Sequence, residues 1–178
     1  FKKYDIAKLF IERGADINIS DKEGNTPLII AVENINVGLT IILIDYGADI
    51  NHQNNKGDTA VSISAKNRDT KLLIGYLIEK GGNIDHQNRS GNTPLMISIM
   101  YNNIETSKQL IYRGADIGIQ NSDGNTALAI AAELQYDNIV KLLLDYGGDT
   151  STILDSEYYK KYIDMDSDYY AFCKKFAS

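Results

Sequence analysis

Apolar residues recur along this chain in two alternating runs, separated by stretches rich in Asn, Asp, Gly and Lys. Leu28, Ile30, Ala31 and Val32 form a short run directly after Thr26-Pro27, and Leu39, Ile42, Leu43 and Ile44 follow at helical spacing before Gly47. Thr26 is placed to cap the first helix. Pro27 fits its first position, where a missing N–H removes only a donor that would be unpaired anyway. The break at Asn34 to Asn36 ends that helix, and Gly47 is predicted to close the second in a left-handed conformation. Ahead of the pair, Asp21 and Gly24 suit a tight turn flanked by short β-compatible runs (Ile17, Ile19), which predicts a short hairpin loop.

This unit repeats. GNTPL begins at Gly24, GDTAV at Gly57, GNTPL at Gly91 and GNTAL at Gly124, at intervals of 33, 34 and 33 residues. GADIN at Gly14 and Gly47, GGNID at Gly81, GADIG at Gly114 and GGDTS at Gly147 keep the same beat. The one extra residue falls between Thr59 and Gly81, most simply in the turn at Asn67, Arg68 and Asp69. A fixed period of this length marks a stack of supersecondary units, each too small to bury its own apolar face.

The units resemble the ankyrin repeat family, with its turn, two helices and T-P-L-H-x-A signature. Thr26-Pro27-Leu28 and Thr93-Pro94-Leu95 match the first three positions. Thr59-Ala60-Val61 and Thr126-Ala127-Leu128 match in part, and Ile139 through Gly147 are close to the family's second helix. The signature His is replaced by Ile29, Ser62, Met96 and Ala129. In the family that imidazole bonds between backbone segments, so those bonds are expected to be absent or supplied otherwise, with some loss of rigidity. The resemblance implies an all-α repeat solenoid with short β-hairpin loops, an ankyrin-like stack of helix-turn-helix units. Four repeats are expected at residues 18–50, 51–84, 85–117 and 118–150, after the second helix of an incomplete repeat at 1–17. Residues 151–178 are expected to form a helical cap that places Tyr158, Tyr162, Ile163, Phe172 and Phe176 on the fourth repeat. Gly38 and Gly75 fall inside second helices, where each is expected to cost about 1 kcal/mol relative to alanine, making their repeats the weak links that open first.

Composition narrows the chemistry. Among 178 residues, 18 Lys and Arg stand against 24 Asp and Glu, a formal charge of −6 that disfavours nucleic acid and anionic membrane surfaces. No apolar run approaches the roughly 18 residues of a spanning helix. The single cysteine, Cys173, has no partner for an internal disulfide or zinc pair and no His or Asp at catalytic spacing. His52 and His86 hold equivalent positions one repeat apart, too far to share a metal and best read as loop variants. Asp164-Met165-Asp166-Ser167-Asp168 opens like a calcium loop, but Tyr169 stands where glycine is required and Lys175 where glutamate belongs. No glycine motif cradles a nucleotide. The expectation is therefore a chain that is not an enzyme and holds no cofactor or metal.

What remains is surface. The resemblance implies a protein-protein scaffold that binds through the concave face of hairpin tips and first helices. Carried over by position, that face comprises Lys22, Glu23 and Asn25; Asn55, Lys56 and Asp58; Arg89, Ser90 and Asn92; Ser122, Asp123 and Asn125. Its first-helix members are Glu33, Lys66, Met100 and Glu133, with Tyr101 and Leu134 adjacent. Arg89, Met100 and Tyr101 are the expected hot spot, since aromatic, Met and Arg side chains enrich interface centres. The same reading makes the two large side chains equally suited to packing between repeats. The partner is expected to be another protein, with no nucleic acid or membrane, and the chain monomeric. A second reading, favoured by the half repeat at the start, is a regulatory or targeting segment of a longer enzyme or effector whose active part lies before Phe1. A third is a self-associating stack. Localisation stays open.

Overall fold

The computed structural model describes residues 2–153, and within them helices follow in pairs. The chain opens with α1, Lys2–Glu12. The pairs are α2, Pro27–Glu33, with α3, Val37–Asp45; α4, Ala60–Ala65, with α5, Lys71–Glu79; α6, Pro94–Met100, with α7, Ile104–Tyr112; and α8, Ala127–Glu133, with α9, Asp137–Asp145. The tail expectations for Tyr158, Tyr162, Ile163, Phe172 and Phe176, the Asp164–Asp168 run and Cys173 lie outside the described residues. First helices stack on first helices, and among the second helices α1 packs on α3, α5 on α7 and α7 on α9. Leu28, Val61, Leu95 and Leu128 from the first helices and Leu43, Leu77, Leu110 and Leu143 from the second are all at most 4% exposed. Each stabilises the stack by roughly 1.5–3 kcal/mol relative to exposure. Phe10 holds the equivalent register position in α1 and is 64% exposed, because no first helix precedes it among the described residues.

The first helices begin as the sequence predicts. Thr26, Thr59, Thr93 and Thr126 are buried, and each hydroxyl accepts from the N–H three residues on, at 3.4, 3.3, 3.3 and 3.2 Å. The second helices end at left-handed glycines, of which Gly47 is typical at φ 88°. Its N–H donates to Ile44 O and that of Ala48 to Leu43 O, satisfying two carbonyls the helix leaves open. In three units the turn between helices passes through a left-handed residue, Ile35, Asn102 or Gln135. In the unit carrying the extra residue, a 3-10 turn at Arg68–Thr70 replaces it.

The expected β-hairpin loops are turns instead, and no strand forms among the described residues. The reason is local. Asn54 Oδ1 accepts from the N–H groups of Lys56 and Asp58 at 2.9 and 3.0 Å, and Asp21, Asn88 and Asn121 do the same in their loops. The side chain thus occupies the donors a strand pair would use. Successive turns then stack. Asn55, Arg89 and Ser122 donate backbone N–H to Glu23, Lys56 and Ser90 carbonyls at 2.9, 3.0 and 3.1 Å. That contact needs glycine below it, since a Cβ at Gly91 would lie 2.5 Å from Ser122 N.

Side chains stitch the junctions in the same direction. The amides of Asn54, Asn88 and Asn121 donate to Asn25, Asp58 and Asn92 of the preceding loop, at 3.0, 2.9 and 2.9 Å. Below them, Asn18, Asn51 and Asp85 accept from the N–H of Asp49, Asn83 and Asp116 in the next unit. Gly118 has no side chain to continue that line. His52 and His86 reach back to the carbonyls of Gly24 and Gly57 at 3.1 and 2.8 Å. The imidazole-to-backbone bonds missing from the signature position are therefore supplied from the loops. Asn103, 2% exposed, donates to Ala65 O at 3.3 Å and Asn67 O at 2.8 Å across the central junction.

The second helices are tied at their C-terminal ends. Tyr46 donates to Glu12 at 3.1 Å, Arg113 pairs with Glu79 at 3.2 Å, and the rings of Tyr112 and Tyr146 lie 6.0 Å apart. The bond to the Glu12 carboxylate pushes the Tyr46 phenol above its usual value. Asp149 is held below the usual carboxylate range by the Ser151 hydroxyl and N–H. Gly38 and Gly75 serve these contacts. A Cβ at Gly38 would lie 2.6 Å from the Tyr4 ring, and one at Gly75 would lie 2.7 Å from Arg113 Nη2. The two glycines are notches that receive a side chain of a neighbouring unit.

Candidate interaction surface

The loop tips and first-helix ends form one side of the stack, and most of the residues singled out there are open to solvent. Lys22, Glu23, Glu33, Asn55, Lys56, Arg89, Ser90, Ser122, Asp123 and Glu133 are exposed. Met100 and Tyr101 are 49% and 54% exposed, so neither is consumed by packing between repeats. The remaining positions are engaged in the stack. Asn25 and Asn92 are half-buried and accept from the loop above, and Asn125 is half-buried at the last turn.

Asp58 departs from its expected place on the surface. It is 1% exposed, with one oxygen 2.7 Å from Lys66 Nζ and the other accepting from Asn88 Nδ2 at 2.9 Å. A carboxylate this deep is tolerable because both oxygens are satisfied and a cation sits beside it. Lys66 is correspondingly half-buried and committed to that pair. The loop aspartate is thus a structural anchor, and the lysine its counter-ion.

A groove of about 430 Å³ opens between the first three units. Its floor is Val32 and Ile63, its walls are Glu33, Lys66 and Tyr101, and its far side is the turn Asn67, Arg68 and Asp69. Three of the residues singled out from sequence therefore converge, while Met100 and Arg89 lie outside. Val32, Ile63, Asn67, Arg68 and Asp69 were not anticipated as surface determinants. The signal for the last three was the 34-residue interval, whose extra residue builds the groove's far wall.

The groove's lining combines apolar and polar side chains. Among the described residues no group of three or more His, Cys, Asp or Glu is gathered to hold a metal, and no helix is long and apolar enough to cross a membrane. Arg68 and Tyr101 present donors to solvent without a partner among the described residues, beside an apolar floor. Such a mixture suits recognition of another surface, with apolar area for affinity and a few polar groups for register.

No curated protein matches the chain. A family model described as ankyrin repeats in three copies matches residues 1–74, 34–121 and 61–153, so the helix pairs, the loop turns and the period all fall within it. The chain belongs to the ankyrin repeat family, whose members are all-helical repeat proteins that generally bind other proteins and are typically not catalytic.

Proposed function

We propose that this protein is a noncatalytic scaffold that binds another protein through the concave face of its loop tips and first helices. The observation that carries the reading is the groove itself. Tyr101 and Arg68 stand unpartnered over an apolar floor, on the side of the stack where the exposed tip residues Lys56 and Arg89 also point to solvent. Units that each expose a variable tip on a constant helical frame offer a surface that can be changed without disturbing the core. The reading also takes the chain as a monomer divided at residues 18–50, 51–84, 85–117 and 118–150.

The test combines Arg89→Glu with Met100→Ala and Tyr101→Ala in one variant. All three side chains are exposed and none anchors the stack, so the helical circular dichroism and unfolding midpoint should stay near those of the parent. Quantitative affinity capture from source lysate should then lose the proteins that the parent retains. Equal capture by parent and folded variant rejects this face.

A further inference from the structure

We infer that the groove beside the 3-10 turn takes an acidic segment of a partner protein, seating an apolar side chain against Ile63 and Tyr101 and a carboxylate on Arg68. The inference rests on the interaction-surface reading and names the chemistry of what is bound.

Charge makes the first argument. The protein carries a formal charge of −6, yet the tips and helix ends of its second and third units gather Lys56, Lys66, Arg68 and Arg89. Asp58 and Asp69 are the matching carboxylates, and Asp58 is buried and already neutralised by Lys66. Lys56, Arg68 and Arg89 form no ion pair among the described residues. On either side the same face carries net negative charge, with Lys22 against Glu23 and Glu33 before the centre, and Asp123 and Glu133 after it. A basic centre between acidic flanks selects for a short negative stretch, and against a long one.

Continuity makes the second. Lys66 on the groove wall holds Asp58, Asp58 accepts from Asn88, and Arg89 follows with its N–H on Lys56 O at 3.0 Å. Hydrogen bonds through buried Asp58 thus tie the groove wall to the two exposed basic tips, fixing their places relative to one another for an extended segment. Glu33 at the other end repels a second carboxylate, and although Asp69 lines the groove beside Arg68, the unpaired tip cations Lys56 and Arg89 set the direction: acid toward Arg68 and the tips. Arg68 suits that role, because its planar guanidinium can meet a carboxylate with two parallel hydrogen bonds. The volume of about 430 Å³ admits one or two side chains, a fit for a peptide segment.

The probe is a fluorescein-labelled peptide of leucines and glutamates spaced by serines, with glutamine and lysine versions as controls, titrated into the full chain by anisotropy. The glutamate peptide should bind about tenfold tighter than either control at low salt, with the advantage shrinking as salt is raised. Arg68→Glu, folded by circular dichroism, should reverse the order so that the lysine peptide binds best. Equal binding of the three peptides, no binding up to about 1 mM, an unchanged preference in Arg68→Glu, or equally tight binding of oligothymidylate would each overturn the inference. If the peptides fail while the Arg89, Met100 and Tyr101 variant still loses its captured partner, only the acidic chemistry falls. If capture is unaffected, the surface itself is wrong.

Discussion

Replacing Asn103 with alanine should weaken the centre of the stack out of proportion to the atoms removed. Asn103 occupies the N-cap position of α7, yet its side chain makes no capping bond there. It reaches instead to the preceding unit, donating to Ala65 O and Asn67 O. Alanine therefore leaves α7 no worse capped, and the whole effect falls on the junction. Asn67 O keeps the Thr70 hydroxyl and N–H as donors. Ala65 O loses the side-chain donor that reaches it, at the buried end of α4. One lost hydrogen bond is worth about 1 kcal/mol and a buried carbonyl left unpaired another 1–3 kcal/mol, so the expected loss is roughly 2–4 kcal/mol. Urea unfolding followed by circular dichroism measures it. Hydrogen exchange should show faster exchange in α4 and α5, on the far side of the junction from the mutation. Asn103→Asp, which turns the donors into acceptors facing two carbonyls, should lose at least as much. A loss under about 0.5 kcal/mol in Asn103→Ala, the range of an ordinary surface change, would refute the cross-unit clamp.

Gly38→Ala and Gly75→Ala remove the same helix penalty of about 1 kcal/mol but should part company. At Gly75 the obstacle is the mobile end of Arg113, whose exposed pair with Glu79 is worth little, so a small net gain is expected. At Gly38 the Cβ meets the Tyr4 ring, which must leave Asn36, so α1 should become more susceptible to limited proteolysis; equal responses at the two sites would argue against the notches. Gly118→Asn should restore the bond to Asp149 N–H that Asn18, Asn51 and Asp85 make at the other junctions. With the reduced freedom of the unfolded chain, that should raise the unfolding free energy by about 1 kcal/mol, and an unchanged urea midpoint would count against it. Ile35 is β-branched at φ 55°, where Asn102 stands in the third unit. Ile35→Asn should be neutral to stabilising by up to about 1 kcal/mol in the same assay, and a clear loss would show that the left-handed turn is not strained there.

The helix pairs were legible because each unit states its own punctuation: threonine before the first helix, glycine after the second, and leucines between at helical spacing. The position of the extra residue was legible to within a turn for the same reason. What the sequence did not disclose lies between units. Asn103 reads as an N-cap, Asp58 as a tip residue and Gly75 as a defect when each is judged against its own repeat. Their roles depend on Ala65, Lys66 with Asn88, and Arg113, which are remote in sequence or turned inward by the stack. Asn54, Asp21, Asn88 and Asn121 made turns where short strands were expected, because each side-chain oxygen captures the N–H groups two and four residues on before a partner strand can.

The polarity of the loop line has a consequence for how such a chain can change length. Along this line the amide comes from the later unit, Asn54, Asn88 or Asn121, and the receiving oxygen from the earlier one, Asn25, Asp58 or Asn92. Excision of one whole unit, or duplication of the second, third or fourth, therefore brings an amide back onto an oxygen; duplicating the first would not, because Asp21 stands where the later units carry asparagine. The lysine that neutralises Asp58 travels inside the same unit. The Asn103 clamp, fitted to the 3-10 turn of its predecessor, and the Arg113 contact at Gly75 would both lose their seats, so the second and third units should be gained or lost together.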